Sequence, residues 1–123
     1  MPSRERVLAL VAMVEAGKYV EAIDAFYAED ATMQENDDPP RGGRDVLVAG
    51  ERKVLAAHKD ARTLPGSRFL LEGDRVVIHW TFEFTKPDGR RFRMEELALQ
   101  RWRGERIAEE RFFYDPDQRR RFI

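Results

Sequence analysis

Between Ser67 and Tyr114, four stretches alternate apolar and polar residues, and three stretches with helical spacing precede them. Alternation marks strands, because successive side chains point to opposite faces. Helices first and strands last predict an α+β domain: a curved sheet, antiparallel or mixed, with three N-terminal helices on one face. Such a sheet leaves room for a pocket between its concave face and the helices.

Ser3 is placed to cap a first helix carrying Val7, Leu8, Leu10, Val11 and Val14, and Gly17 ends it. A second helix is expected from about Lys18 to Ala28, with Val20, Ile23 and Phe26 inward. Ala31 to Glu35 reads as a short strand, and Asn36 to Gly43, with two prolines and two glycines, as a loop. Arg44 to His58 returns to helix with Val46, Leu47, Val54 and Leu55 as its stripe, although Gly50 weakens it by roughly 1 kcal/mol relative to alanine. Thr63 to Gly66 is a turn before strands at Arg68–Leu71, Arg75–Thr85, Arg90–Arg101 and Arg106–Tyr114. Pro87-Asp88-Gly89 and Arg103-Gly104-Glu105 supply the last two turns.

The 123 residues suit one domain spanning 1–123, and 42% hydrophobic residues suffice for a core. A net charge of -1 argues against neutralising many phosphates, so no nucleic-acid partner is expected. The absence of cysteine excludes disulfides, thiol nucleophiles and zinc–thiolate sites. No apolar run approaches the roughly 20 residues that span a bilayer, and Leu8–Val14 reads as an amphipathic helix, not a leader. No membrane association and a cytoplasmic location are the expectation. Arg119-Arg120-Arg121-Phe122-Ile123 closes the chain, and 117–123 is expected to be a flexible or subunit-docked tail.

Phe26-Tyr27-Ala28-Glu29-Asp30-Ala31-Thr32-Met33-Gln34-Glu35 resembles the second-helix to first-strand junction of the nuclear transport factor 2-like superfamily. Arg41-Gly42-Gly43-Arg44-Asp45 resembles the start of its third helix. Trp102 to Ile107, followed by Phe113-Tyr114-Asp115-Pro116, is similar to the terminal hairpin of SnoaL-like members. The resemblance implies a cone-shaped fold and a homodimer through the sheet. It also implies a range of activities: polyketide cyclases, ketosteroid isomerases, dehydratases, epoxide hydrolases and noncatalytic domains. Glu35 falls where ketosteroid isomerases place their proton-shuttling carboxylate. Leu10 and Ala98 fall near their oxyanion-hole tyrosine and neutral aspartic acid, so two of those three roles lack a side chain here.

Counting back from Trp102, Gln100, Ala98, Glu96, Met94 and Phe92 share a face, which the resemblance makes concave. Glu110, Phe112 and Tyr114 join it from the last strand, Glu35 and Met33 from the first, and Trp80 and Phe82 from the longest. The expected chamber is aromatic, with Glu35, Glu96, Gln100 and Glu110 as its polar groups. Carboxylates among aromatic walls favour protonation, and neighbouring carboxylates share protons. Glu35 is therefore the candidate proton acceptor, with Glu110 or Tyr114 as the complementary hydrogen-bond donor. The contrary reading makes one or more of these glutamates structural ion-pair partners of Arg44, Arg91, Arg93 or Arg111, and a β-bulge would reverse the facing pattern.

His58 reads as a solvated residue at a helix end and His79 as lying opposite the pocket. Neither builds a metal motif, so no metal and no cofactor are expected. Two functional classes remain open. One is a cofactor-independent isomerase, cyclase or dehydratase acting on an apolar, oxygen-bearing small molecule. The other is a noncatalytic apolar-ligand-binding or dimeric interaction domain.

Overall fold

A computed structural model describes residues 1–123. Helix α1 (Arg4–Glu15) starts where Ser3 Oγ accepts the Arg6 N–H at 3.1 Å. It stops at Gly17, whose φ of 79° favours a residue without Cβ. Val7, Leu10 and Val11 form its buried stripe. Replacing Ser3 with alanine should lower stability by about 1 kcal/mol in a denaturant titration, the usual cost of losing an N-cap.

Helix α2 (Tyr19–Phe26) is two residues shorter at its C-terminal end than its apolar pattern suggests. Tyr27 and Ala28 are buried, but they begin strand β1 (Tyr27–Glu35). Burial alone could not distinguish the end of a helix from the start of a fully covered strand. The expected loop contains a two-residue strand, β2 (Arg41–Gly42), paired with Thr32 and Met33. Helix α3 (Arg44–Ala56) follows Gly43, at φ 97°. Of its expected stripe only Leu47 is fully buried; Val46 and Val54 are exposed.

Asp60–Thr63, expected as connecting chain and turn, is strand β3, antiparallel to the second half of β5. Its Asp-Ala-Arg-Thr sequence has no apolar alternation because it is an edge strand with little core to face. Strands β4 (Arg68–Glu72), β5 (Arg75–Thr85), β6 (Arg91–Arg103) and β7 (Arg106–Phe113) lie close to expectation. The sheet order is β2-β1-β7-β6-β5-β3, with β4 also on β5. Only the β1–β7 pairing is parallel, so the curved sheet is mixed.

Trp102, Ile107, Val76, Ile78 and Ala98 on the sheet pack with Val7, Leu10, Ile23 and Phe26 on the helices. Each fully buried large aliphatic contributes roughly 1.5–3 kcal/mol. A bulge in β7 follows Ile107: the register passes from Trp102 opposite Ile107 to Arg101 opposite Glu109. Ile107 and Ala108 are consequently both buried. Beyond it, Gln100 opposes Glu110 and Ala98 opposes Phe112, so the inward face stays in phase through Tyr114.

The stretch 117–123 lies along its own subunit. Pro116–Arg120 forms a 3-10 turn, and Phe122 bridges Phe92 on the edge of β6 that β7 leaves uncovered. No helix is long and apolar enough to cross a membrane.

Candidate functional site

Strand parity, helix facing and the β1–β7 register converge on one cavity of about 880 Å³. It is lined by Met33, Glu35, Trp80, Phe82, Phe92, Met94, Glu96, Gln100, Glu110, Phe112 and Tyr114. Met33 opposes Glu110 and Glu35 opposes Phe112 across the parallel pair, which brings the first and last strands to one wall. Helix α3 closes the other side with Leu47, Gly50, Glu51 and Val54, and Ala57 and His58 continue the wall just past its end. These positions recur at helical spacing, and a helix over an open chamber keeps residues such as Val54 partly exposed.

The innermost polar groups form a chain. Trp102 Nε1–H donates to Gln100 Oε1 at 2.9 Å, which fixes the amide so that Gln100 Nε2 donates to Glu110 Oε2 at 2.6 Å. The Tyr27 hydroxyl donates to Glu110 Oε1. Both Glu110 oxygens are thus engaged, and the residue is only 3% exposed. Burial pushes its carboxyl up to about 7, against the pull of the two donors and with repulsion from Glu35 and Glu51. Tyr27 is pushed well above the usual phenol range by burial and by Glu110.

Glu96 lies two positions from Ala98 on the same face of β6. Burial raises its carboxyl to about 8, with Glu35 and Glu110 adding repulsion and Arg119 opposing the rise. At neutral pH it is mostly an uncharged acid with a proton to donate. Burial first, and Glu35 second, also raise Glu51. Glu35 sits nearer the opening, its side chain 33% exposed and one oxygen 2.9 Å from Arg41 Nη2. Tyr114 OH is 3.5 Å from the other oxygen, a weak contact. Burial and the neighbouring Glu35 charge push the Tyr114 phenol up to about 12, so it stays protonated.

Several expectations need revision. The structural-arginine reading named the wrong partners: Glu35 pairs with Arg41. Arg91 and Arg93 instead converge with Arg62 on Glu83, a buried glutamate on the outer face. Arg44 donates to the Tyr27 carbonyl, and Arg111 holds Asp37. His58 is not simply solvated, since it packs on Phe84 at 4.9 Å between ring centroids and pairs through Nδ1 with the Val54 carbonyl oxygen at 2.8 Å. His79 is exposed on the outer face, 3.6 Å from Glu95. The expected donor Glu110 is already engaged, which leaves Glu96 and Glu51 as carboxyls set by burial and charge alone, Glu96 being the one on the sheet beside Glu110 and Glu35.

Tyr27, Arg41, Glu51 and Arg119 were not identified from the sequence. Glu51 had a legible signal, since it lies four residues after Leu47 on the inward face of α3. Arg41 and Arg119 lie where chain path, not periodicity, decides orientation.

A family model described as a SnoaL-like domain matches residues 7–110. No curated protein matches the chain. Among solved structures, a proposed polyketide cyclase from Pseudomonas putida KT2440 is 19% identical, with a TM-score of 0.80 over 96% of this chain and 95% of that one. A proposed SnoaL-like polyketide cyclase from Mesorhizobium loti is 21% identical, with a TM-score of 0.71 over 93% and 100% of the two chains. TerC, co-crystallised with polyporic acid, is 19% identical, with a TM-score of 0.76 over 90% and 89%. At these identities the likeness establishes the fold.

Proposed function

The chain belongs to the SnoaL-like domain family, and from that premise we propose that it is a cofactor-independent enzyme of the isomerase or cyclase type. It would act on an apolar small molecule bearing an enolisable carbonyl. The carrying observation is that one concave face brings to the same cavity a carboxyl near the opening, Glu35, and a second, Glu96, that burial raises to about 8. Glu96 donates its hydrogen bond to the substrate carbonyl oxygen, where negative charge develops. Glu35 removes a proton from the adjacent carbon, giving an enol or enolate. In isomerisation Glu35 returns that proton to another carbon, so no atom is gained or lost. In cyclisation the enolate carbon attacks a second carbonyl of the same molecule, and the proton ends on the new alkoxide. Glu110, with Gln100 and Tyr27 donating to its two oxygens, serves as a buttress that holds the floor of the cavity. The named cyclase neighbours and the organic acid bound by TerC favour an oxygen-bearing ligand.

The test is exchange of the acidic C–H of apolar ketones with deuterated water, followed by NMR. Catalysed exchange above the buffer rate supports the reading, while binding without exchange across a broad ketone panel overturns it. The Arg41–Glu35 ion pair favours the second reading, a noncatalytic ligand-binding domain, because the guanidinium occupies one of the two carboxylate oxygens that the chemistry would use.

We propose further that the protein is a dimer through the outer sheet face. Leu70, Leu97, Leu99 and Phe113 are exposed there by 77%, 47%, 37% and 40%. Covering them is worth roughly 25 cal/mol per Å² of apolar area. Light scattering on dilution should show a dimer, and L97D combined with L99D should give a folded monomer. A wild-type monomer at every usable concentration rejects this.

A further inference from the structure

Three cationic side chains line the cavity: Arg41, Lys53 and Arg119. Arg41 is matched by Glu35. Arg119 and Lys53 enter no ion pair, whereas Arg120 and Arg121 beside Arg119 are held by Asp117 and Asp115. Arg119 is nevertheless well placed. Asp115 caps its 3-10 turn by accepting the Asp117 N–H at 2.9 Å. Gln118 exchanges two hydrogen bonds with the backbone of Glu95, at 2.9 and 3.2 Å, as a neighbouring strand would. Past the turn, the Ile123 N–H donates to the Arg91 carbonyl at 2.9 Å. The Arg119 guanidinium lies 5.8 Å from the Tyr114 ring centroid, with Nη2 3.4 Å from the hydroxyl.

Acids line the cavity at every depth: Glu96 and Glu110 inside, Glu51 from α3, and Glu35, Asp37 and Asp38 toward the opening. Asp37 is held by Arg111 and Glu35 by Arg41, so the exposed Arg119 guanidinium stands among them without an ion-pair partner. We infer that Arg119 is a specificity residue that holds the carboxylate of an apolar organic acid at the cavity mouth, leaving the uncharged end of the ligand inside. This deepens the proposed acid–base reading, on which it rests, by naming the substrate class as apolar carboxylic acids. A carboxylate carried inward would lose its water among other carboxyl groups, with no free cation to replace it. At the rim it stays half hydrated and meets a planar fork of donors that matches its geometry. Tyr114, beneath Arg119, offers its hydroxyl to the same group or to Glu35.

Two probes of one shape separate charge from fit: naphthylacetate, ionised near neutral pH, and naphthylacetamide. Binding is read by calorimetry and by the fluorescence of Trp80, which lines the cavity. The acid should bind about tenfold more tightly than the amide at low salt, a difference that shrinks in high salt. In Arg119→Gln the preference should fall below about twofold with amide affinity unchanged. Arg119→Lys should retain part of it. Equal binding of the two probes, or failure of both to bind, overturns the inference. A preference that survives Arg119→Gln also overturns it, by moving recognition to Lys53 or Arg41. Ketone exchange distinguishes the two claims: exchange without acid preference removes Arg119 alone, and acid preference without exchange removes the reaction alone.

Discussion

Replacing Glu35 with glutamine should lower the catalysed exchange rate by about 10²–10⁴-fold, the usual contribution of one positioned acid–base group. At 1.36 kcal/mol per decade this is about 3–5 kcal/mol of transition-state stabilisation. The substitution preserves shape, and the amide oxygen can still accept from Arg41 Nη2, now 2.9 Å from the carboxylate. Ligand affinity and melting temperature should therefore change little. A carboxylate accepts a proton near neutral pH, whereas an amide does not. The Glu96 partner has its own signature: donation ends once its carboxyl ionises, so the wild-type rate should fall above about pH 8. Glu96→Gln, which donates N–H at any pH, should remove that fall. Exchange in Glu35→Gln within about threefold of wild type would remove Glu35 from the chemistry.

The second large effect is on stability, and its sign is unusual. Glu96 and Glu110 have folded values of about 8 and about 7, against 4.5 for the free side chain. Between those limits the folded protein holds protons that the unfolded chain has released, so stability falls as pH rises. The decline begins near 4.5, where the unfolded chain ionises, and levels off above about 8. Each unit of difference is about 1.4 kcal/mol, and two interacting groups together give a loss of a few kcal/mol. The melting temperature should drop by roughly 10 °C between about pH 5.5 and about pH 8.5. Asp30, Glu83, Asp88, Glu109 and Asp115 act in the opposite sense, since ion pairs or hydrogen bonds lower them. Their contribution is present above the ordinary carboxylate range and lost as pH falls through their folded values, which places the optimum near about pH 5. In Glu110→Gln, the new amide can satisfy both Gln100 and Tyr27. Combined with Glu96→Gln, it should remove most of the slope above that optimum, leaving the part that the raised Glu51 contributes. A wild-type melting temperature that is constant or rises from about pH 5.5 to about pH 8.5 would contradict the inferred burial of these acids.

The long strands were legible because they face two ways. Val76, Ile78 and Trp80 are buried while Arg75 and His79 are exposed, and that alternation is written directly into the residues. The same counting placed Glu96, Gln100 and Glu110 inward. Strands β2 and β3 were hidden because edge strands face mostly water and carry no comparable alternation. The start of β1 was hidden because Tyr27 and Ala28 are both buried, which suits a helix equally well.

Within the site, parity could say that Glu110 points inward but not that both its oxygens are taken. That depends on Tyr27, and on the indole of Trp102 orienting the Gln100 amide. The Glu35 partner was missed for a similar reason. Arg41 is only six positions away, but a turn through Asn36, at φ 48°, and two prolines brings it back.

The parallel pairing of β1 with β7 joins residues far apart in the chain, as the 83-position separation of Tyr27 and Glu110 shows. During synthesis the helices and β1 emerge well before β7, leaving β1 with only the two-residue β2 as a strand partner. Long-range pairing of this kind slows folding and lengthens exposure of unfinished edges. The binding chamber cannot be complete before β7 is in place, and nascent chains stopped before β7 would lack the wall and floor that Glu110 and Phe112 supply.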